Sequence, residues 1–324
     1  MSARNILLIL IVGVVAAYAG AHLSRFGAYL AYSVAIASIG AMALNLLSGI
    51  CGQISFSQAA LMGVGAYTAG NFGNAGYGGL GLLLGGLLAS LASVVIGLPS
   101  LRLRGLYFAI STIATQFLFE YAFKTLEPLT NGVSGLTILP LKIAGYDYGS
   151  DSALAALCIF GAALTYLVMS SVRESDLGRA FRVVRENEIV ARGMGLDVAK
   201  TKLWAFAISG FFAGIAGGLS AFSVRLASPE SFNLPLSIDY VAMTIVGGLG
   251  SLPGSLLGAA FVTLLPEAIQ RAGEAFNIPD ILSALRELTF GVLMVIFLIF
   301  EPRGLSSLLQ GLRRGGARTV KSSN

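Results

Sequence analysis

The chain has 324 residues, of which 56% are apolar and only 11% charged, and its mean hydropathy is +0.81. Soluble domains carry about 25% charged residues, and roughly half of the surface of a globule must be covered by polar groups. The composition therefore excludes a soluble globular class and predicts a protein whose solvent is mostly the lipid bilayer.

Ten apolar segments follow one another along the chain. They cover residues 6–21, 26–47, 59–72, 80–98, 106–123, 153–172, 203–222, 238–249, 256–269 and 282–300. A spanning helix needs about 20 residues, so we predict an all-α fold. The expected fold is a polytopic transmembrane helical bundle of about ten spans, which forms a single transmembrane domain over residues 1–324. The third, eighth and ninth segments are short and flanked by Gly-rich polar stretches, so broken or re-entrant helices are expected there.

The first segment also resembles a cleavable signal peptide, but the second begins only a few residues later, at Phe26, which favours a retained helix. The chain contains 41 glycines, an abundance that in a membrane protein predicts close helix packing through small residues.

Basic residues set the expected orientation. With ten spans and a cytoplasmic N-terminus, 15 of the 21 Lys and Arg residues lie on the cytoplasmic side, five of them in a basic tail over residues 303–324. This bias predicts that both termini are cytoplasmic. It also explains the basic pI as a topology signal, with no nucleic-acid partner required.

Residues 173–202 form the most charged loop, with seven basic and five acidic residues. An apolar stripe and i,i+4 charge pairs predict one amphipathic helix of about four turns over 178–195, capped by Asp176 and ended by Gly193 or Gly195. One interpretation is a helix that rests on lipid headgroups. The mixed charge favours the other interpretation, a docking element for a soluble protein.

A second polar interruption covers residues 49–58 and contains Gln53, Ser55 and Gln58 between two apolar segments. Polar groups at membrane depth need partners or water. The stretch is therefore either a broken helix that lines a translocation path, together with Asn45, or an ordinary cytoplasmic turn. The residues alone leave both interpretations open.

The sequence contains no residue set typical of catalysis or metal binding. Cys51 and Cys158 lie in apolar runs and are predicted to be small core residues, and His22 has no partner residue of a suitable kind. We therefore expect neither an enzyme, nor a metal site, nor a cofactor in this chain. A Walker A phosphate-binding motif is missing as well.

Four ordered blocks carry a family resemblance. They are GRAFRVVRENEIVARGMG at 178–195, NLLSGICGQISFSQAALMGVGAY at 45–67, VGGLGSLPGSLLG at 246–258 and FEPRGL at 300–305. Together they resemble the LivM-type permeases of branched-chain amino acid ABC importers. Two departures are Val190 before Ala191, where two alanines are common, and Ser57-Gln58, where Gly-His is frequent.

The resemblance implies a permease of the bacterial inner membrane that imports hydrophobic amino acids by alternating access. It implies a second, LivH-type permease, two cytoplasmic ATPases that use ATP, and a periplasmic substrate-binding protein, which the outer loop 124–152 would meet unless that loop is only a solvated turn. The residues expected to dock the ATPase are Arg179, Arg185, Glu186, Glu188, Ala191 and Gly195.

Two alternatives remain. The cargo of the same machine could be urea or a short-chain amide, or the chain could be an ion-coupled secondary transporter or channel that acts alone. A docking loop at 173–202 argues against the second alternative, since a lone transporter needs no such element. An interpretation as a membrane enzyme finds no catalytic residue set in the sequence.

Overall fold

A computed structural model describes residues 13–16, 18, 20, 24–103, 105–143, 145–275, 291, 292 and 305. The longer helices in it are α1 (Arg25–Leu44), α2 (Gln58–Asn74), α3 (Gly78–Gly97), α4 (Leu106–Thr125), α6 (Asp151–Glu174), α9 (Val198–Val224), α10 (Leu234–Gly247) and α11 (Leu252–Ala275). The shorter ones are α5 (Glu127–Thr130), α7 (Asp176–Glu186) and α8 (Glu188–Gly193).

Short polar side chains determine where several helices begin. The hydroxyl oxygens of Ser24, Ser150 and Ser175 accept hydrogen bonds from backbone N–H groups in the first turns of α1, α6 and α7. The carboxylate of Asp197 does the same for α9. These contacts satisfy N–H groups that have no partner inside the helix, which is why such residues mark helix starts.

Glycines bring the central helices α2, α3 and α9 into backbone contact. A Cβ atom added at Gly65 would collide with the backbone of Gly214, and one added at Gly85 would lie 2.7 Å from the carbonyl oxygen of Gly65. Around this centre, α1 packs against α6, α9 and α11, and α10 packs mainly against α11. The predicted role of the abundant glycines in helix packing is confirmed.

The two ends of the bundle carry different polar groups. At one end, Arg25 forms an ion pair with Asp151 and the guanidinium of Arg225 donates to the carbonyl of Gly149. At the other end lie α7 and α8, which we call the docking-loop end. Arg25 and Arg225, both assigned to the outer side, thus lie at the end away from α7 and α8. The side of the membrane that each end faces stays a prediction.

The loop over 124–152 is folded rather than extended. Strand β1 (Leu136–Thr137) pairs antiparallel with β4 (Leu226–Ala227), which follows α9. Strands β2 (Lys142–Ile143) and β3 (Tyr146–Asp147) form a small hairpin. These two-residue ladders hold the loop against the end of α9 and leave the fold class unchanged.

The predicted all-α bundle is confirmed. All eight segments predicted between 26 and 269 coincide with helices, and five helical stretches are long and apolar enough to cross a membrane. These are Arg25–Ile50, Gly78–Leu101, Asp151–Glu174, Val198–Val224 and Leu252–Arg271. Among the segments expected to be broken or re-entrant, the eighth is α10, with 14 residues, and the ninth is α11, a continuous helix of 24 residues and so not broken internally. The expected break between these two segments is the turn 248–251, and re-entrance stays a prediction.

The tenth predicted segment, 282–300, lies outside the described residues apart from 291 and 292, and only a part of the first is described. Both chain termini, whose side of the membrane was predicted, also lie outside them. Within the predicted tail over 303–324 only Leu305 is described, and its N–H donates to the carbonyl of Val246 over 2.8 Å. A count of ten spans therefore stays a prediction.

The single helix predicted over 178–195 is wrong in one respect. Asn187 is extended, with φ −160° and ψ 113°, and divides the segment into α7 and α8. Its side-chain oxygen accepts hydrogen bonds from the N–H groups of Ile189 and Val190, so it starts α8 as a cap. Ser175, not Asp176, caps α7.

Candidate functional site

The helix that begins at Arg25 changes form before it ends. Over Asn45–Ile50 it widens into a π-helix, and residues 51–57 are irregular before α2 begins at Gln58. Gly52 has φ +77°, a backbone conformation that favours glycine. Short π-helical segments are frequent at functional sites. The interruption coincides with the predicted polar stretch 49–58 and lies at the docking-loop end, beside α7.

Asn45 is fully buried at the start of this π-helix and bonds to a turn more than 200 residues away. Its Nδ2 donates to the carbonyl of Ser251 (3.0 Å) and to the hydroxyl of Ser255 (2.5 Å). Its Oδ1 accepts from the N–H of Gly250 (2.7 Å). Asn45 therefore joins the end of α1 to the turn 248–251 and to the first turns of α11.

The other residues predicted for the path lie close by. Gln58 is buried and its amide donates to the carbonyl of Gly40 over 3.1 Å. The hydroxyls of Ser55 and Ser57 are buried and lie 2.9 Å apart. Gln53 is half-buried, and its carbonyl accepts from Ser48. The fold brings all four predicted residues to one region, where Asn45, Ser55 and Gln58 form hydrogen bonds through their side chains and Gln53 through its carbonyl. Their role in a path stays a prediction.

The residues predicted to dock an ATPase divide into two groups. Arg179 and Glu186 on α7 are exposed, and Arg179 pairs with Asp176 on its own helix. Gly195 follows α8 with φ +81° and open space beside it. These three residues form the outward face of the loop, which is available to a partner.

The remaining three make contacts with the bundle, although Arg185 itself is exposed on α7. Ala191 is fully buried, beside Val184 and Val198. The guanidinium of Arg185 donates to the carbonyl of Gly49 in the π-helix. The carboxylate of Glu188 lies 2.7 Å from the ammonium of Lys202, and the two side chains are 16% and 2% exposed. Their positions support anchoring of the loop more directly than contact with a partner.

Lys202 completes this anchor. Its ammonium also donates to the carbonyl of Ser100, over 3.0 Å, at the end of the 3₁₀ turn Leu98–Leu101 that follows α3. An isolated buried ammonium is costly, so the carboxylate and the carbonyl account for its position. One side chain thus ties α8 to α9 and to the end of α3.

Cys51, which follows the π-helix, is fully buried nearby, and Cys158 is also a free, buried thiol, as predicted. Burial raises the pKa of the Cys51 thiol to about 12. The thiol therefore stays protonated at neutral pH and behaves as a small packing group.

Comparison with known proteins decides the family. Residues 26–298 match the family model described as the branched-chain amino acid transport system / permease component. The high-affinity branched-chain amino acid transport system permease protein LivM of Escherichia coli (strain K12) is 30% identical over 308 residues, which cover 86% of this chain and 70% of that protein. The chain belongs to the branched-chain amino acid permease family.

Other relatives of this permease agree with that assignment. The LivM protein of Salmonella typhimurium is also 30% identical, covering 82% of this chain and 66% of the relative. The probable LivH permease of Methanocaldococcus jannaschii is 26% identical, covering 80% and 75%. The LivM proteins of Escherichia coli and Salmonella typhimurium are more similar to the chain than this LivH protein is, which is consistent with the predicted LivM type. No solved structure matches the permease.

A second buried polar cluster surrounds the first turn of α2. It was not predicted from the sequence. Gln116 of α4 accepts from the N–H of Ala60 (2.8 Å) and donates to the carbonyl of Phe232 (2.8 Å). The hydroxyl of Ser237 on α10 accepts from the N–H of Ala59 (2.9 Å) and donates to Gln116.

Gln116 and Ser237 are fully buried, so α2, α4 and α10 of the permease meet at a polar junction inside an apolar bundle. A lone Gln within an apolar segment was the signal that could have revealed it, because such a group needs partners at membrane depth.

Proposed function

We propose that this permease is the membrane-spanning subunit of an ATP-driven importer that carries branched-chain amino acids into the bacterial cytoplasm. One observation carries the proposal: α7 and α8 present an exposed face of mixed charge while their other face is bonded to a broken helix. Such an arrangement suits a part that receives force from a soluble protein and passes it into the bundle.

ATP hydrolysis belongs, in this proposal, to two separate cytoplasmic ATPase subunits, because this chain contains no Walker A motif. A second, LivH-type permease and a periplasmic binding protein complete the machine. The mechanism is alternating access, in which movement of the docking loop changes the side to which the path opens. The protein lies in the inner membrane with both termini in the cytoplasm.

The names of the relatives support branched-chain amino acids as the cargo. The scarcity of charged residues in the apolar segments agrees with a zwitterionic or neutral solute that has an apolar side chain. Uptake into proteoliposomes, with labelled leucine competed by valine, urea and acetamide, tests the cargo. We expect only valine to compete with leucine. Competition by urea or acetamide would contradict this cargo and indicate a permease for urea or short-chain amides.

The docking assignment is tested by co-purification with co-expressed ATPase subunits from the same organism. Arg179→Glu combined with Glu186→Lys reverses two charges on the exposed face of α7 and should lower the recovered ATPase at least tenfold. Glu230→Lys is the matched control, since Glu230 is an exposed acid at the opposite end of the bundle.

Unchanged recovery of the ATPase with the double variant would refute docking through this face. Solute uptake by the purified chain without any ATPase would instead favour a transporter that acts alone.

A further inference from the structure

The side chain of Arg185 leaves α7 and runs into the docking-loop end of the bundle. Its guanidinium donates to the carbonyl of Gly49. A Cβ atom added at Gly52 would lie 2.7 Å from Cγ of Arg185, and one added at Gly250 would lie 3.4 Å from its Nη1. The side chain therefore lies against three glycines, Gly49, Gly52 and Gly250.

The acceptor of Arg185 is a carbonyl of the π-helix. A charge-assisted hydrogen bond is stronger than a neutral one, and this bond is partly buried although Arg185 as a whole is exposed. Arg185 and the carbonyl of Gly49 should for this reason move together when α7 is displaced.

Beyond Gly49 the contacts continue to another part of the chain. A Cβ atom at Gly49 would collide with Oδ1 of Asn45 and with the backbone nitrogen of Gly250, so the three groups are packed without space between them. Asn45 accepts from the N–H of Gly250 and donates to Ser251 and Ser255. A displacement of Gly49 is thereby passed to the turn 248–251 and to α11.

We propose that Arg185 is a positioning residue that transmits movement of α7 to the π-helical end of α1 and, through Asn45, to α11. The proposal rests on the function proposed above, in which the outward face of α7 and α8 receives the force. The sequence had suggested that Arg185 docks the ATPase. In this proposal it transmits movement instead.

The ion pair between Glu188 and Lys202 supplies the fixed point. It ties α8 to α9 and to the end of α3, two of the closely packed central helices. Asn187 separates α8 from α7 with an extended backbone. Because α8 is tied to α9 and to the end of α3, a displacement of α7 relative to α8 moves Arg185 against the π-helix.

The first experiment needs no partner protein. Amide hydrogen exchange of the purified full chain in nanodiscs is compared for wild type, Arg185→Ala and Arg182→Ala. Arg182 is a matched control on the same helix, since its guanidinium donates to the carbonyl of Arg173 instead. Arg185→Ala should speed exchange at least fivefold in residues 45–53 and 248–252, and Arg182→Ala should not. Equal exchange in both variants would overturn the proposed contact path.

The second experiment measures coupling in proteoliposomes that contain the ATPase subunits and the binding protein. Arg185→Ala should keep ATPase recovery and ATP hydrolysis within twofold of wild type and lower the leucine transported per ATP at least tenfold. Arg185→Lys, which keeps a donor, should recover part of this ratio.

An unchanged ratio for Arg185→Ala would refute transmission, and lost ATPase recovery would make Arg185 a docking residue, which also refutes it. If the wild-type chain recruits no ATPase, the proposed function fails by itself, and the exchange experiment still decides whether Arg185 holds the π-helix in place.

Discussion

Lys202 and Glu188 form a nearly buried ion pair, with 2.7 Å between the ammonium and the carboxylate, although the two residues lie on different helices. The ammonium of Lys202 also bonds to Ser100, so this single group connects three elements at the docking-loop end. The pair fixes how α8 sits on the bundle, and its loss should therefore lower the stability of the permease.

Lys202→Met should destabilise the permease by about 3 kcal/mol, because it leaves the Glu188 carboxylate with its buried partner removed. The measurement is denaturant-induced unfolding in detergent micelles, monitored by circular dichroism. Lys200→Met is the control: its ion pair with Asp197 spans 3.2 Å but both side chains are half or more exposed, so the change should be below about 1 kcal/mol. If both variants lose a similar free energy of unfolding, burial does not make the Glu188–Lys202 ion pair more stabilising than the exposed pair.

Asn45→Leu should destabilise the chain by about 3 kcal/mol, since it leaves the N–H of Gly250, the carbonyl of Ser251 and the hydroxyl of Ser255 without this buried partner. Unfolding is measured as above. Asn74→Leu removes contacts to Thr137 and Leu139 that are exposed, and it should cost about 1 kcal/mol or less. The Asn45 assignment is wrong if the two variants unfold alike.

Gly65→Ala should lower stability by about 2 kcal/mol, because the added methyl group collides with the backbone of Gly214 between α2 and α9. Gly193→Ala is the matched control, as a Cβ atom there meets nothing within 4 Å and alanine favours helix. Melting temperatures of the two purified variants provide the measurement. A melting temperature of Gly65→Ala at or above that of wild type would mean that the helices are less closely packed than described.

Cys51 should resist alkylation at pH 8, because its thiol is fully buried and burial raises its pKa to about 12. Incubation of the folded protein with a maleimide, followed by intact mass spectrometry, should show less than about one tenth of the labelling of Gly193→Cys, which adds an exposed thiol on α8. Unfolding in detergent and urea should make Cys51 reactive. Rapid labelling of Cys51 in the folded protein would contradict its placement in the core.

Much of the fold follows from local pattern. In lipid, the backbone N–H and C=O groups of an apolar run of about twenty residues must find hydrogen-bond partners within the protein. Only a helix provides these partners within one segment. For that reason the segments predicted from 26–47 to 256–269 all coincide with helices. The position of the docking loop also follows locally, because seven basic and five acidic residues cannot enter the apolar bundle together.

The sequence by itself therefore determined the membrane class, the positions of the described helices and the location of the charged loop. Only the tertiary structure decided which way the polar side chains of that loop point. Arg185 is exposed like Arg179, yet its guanidinium bonds to the carbonyl of Gly49. Glu188 has the same charge as the exposed Glu186, yet its carboxylate lies nearly buried, because folding brings the ammonium of Lys202 to it. A buried charge is stable only beside such partners, and no local pattern states which distant groups will meet it.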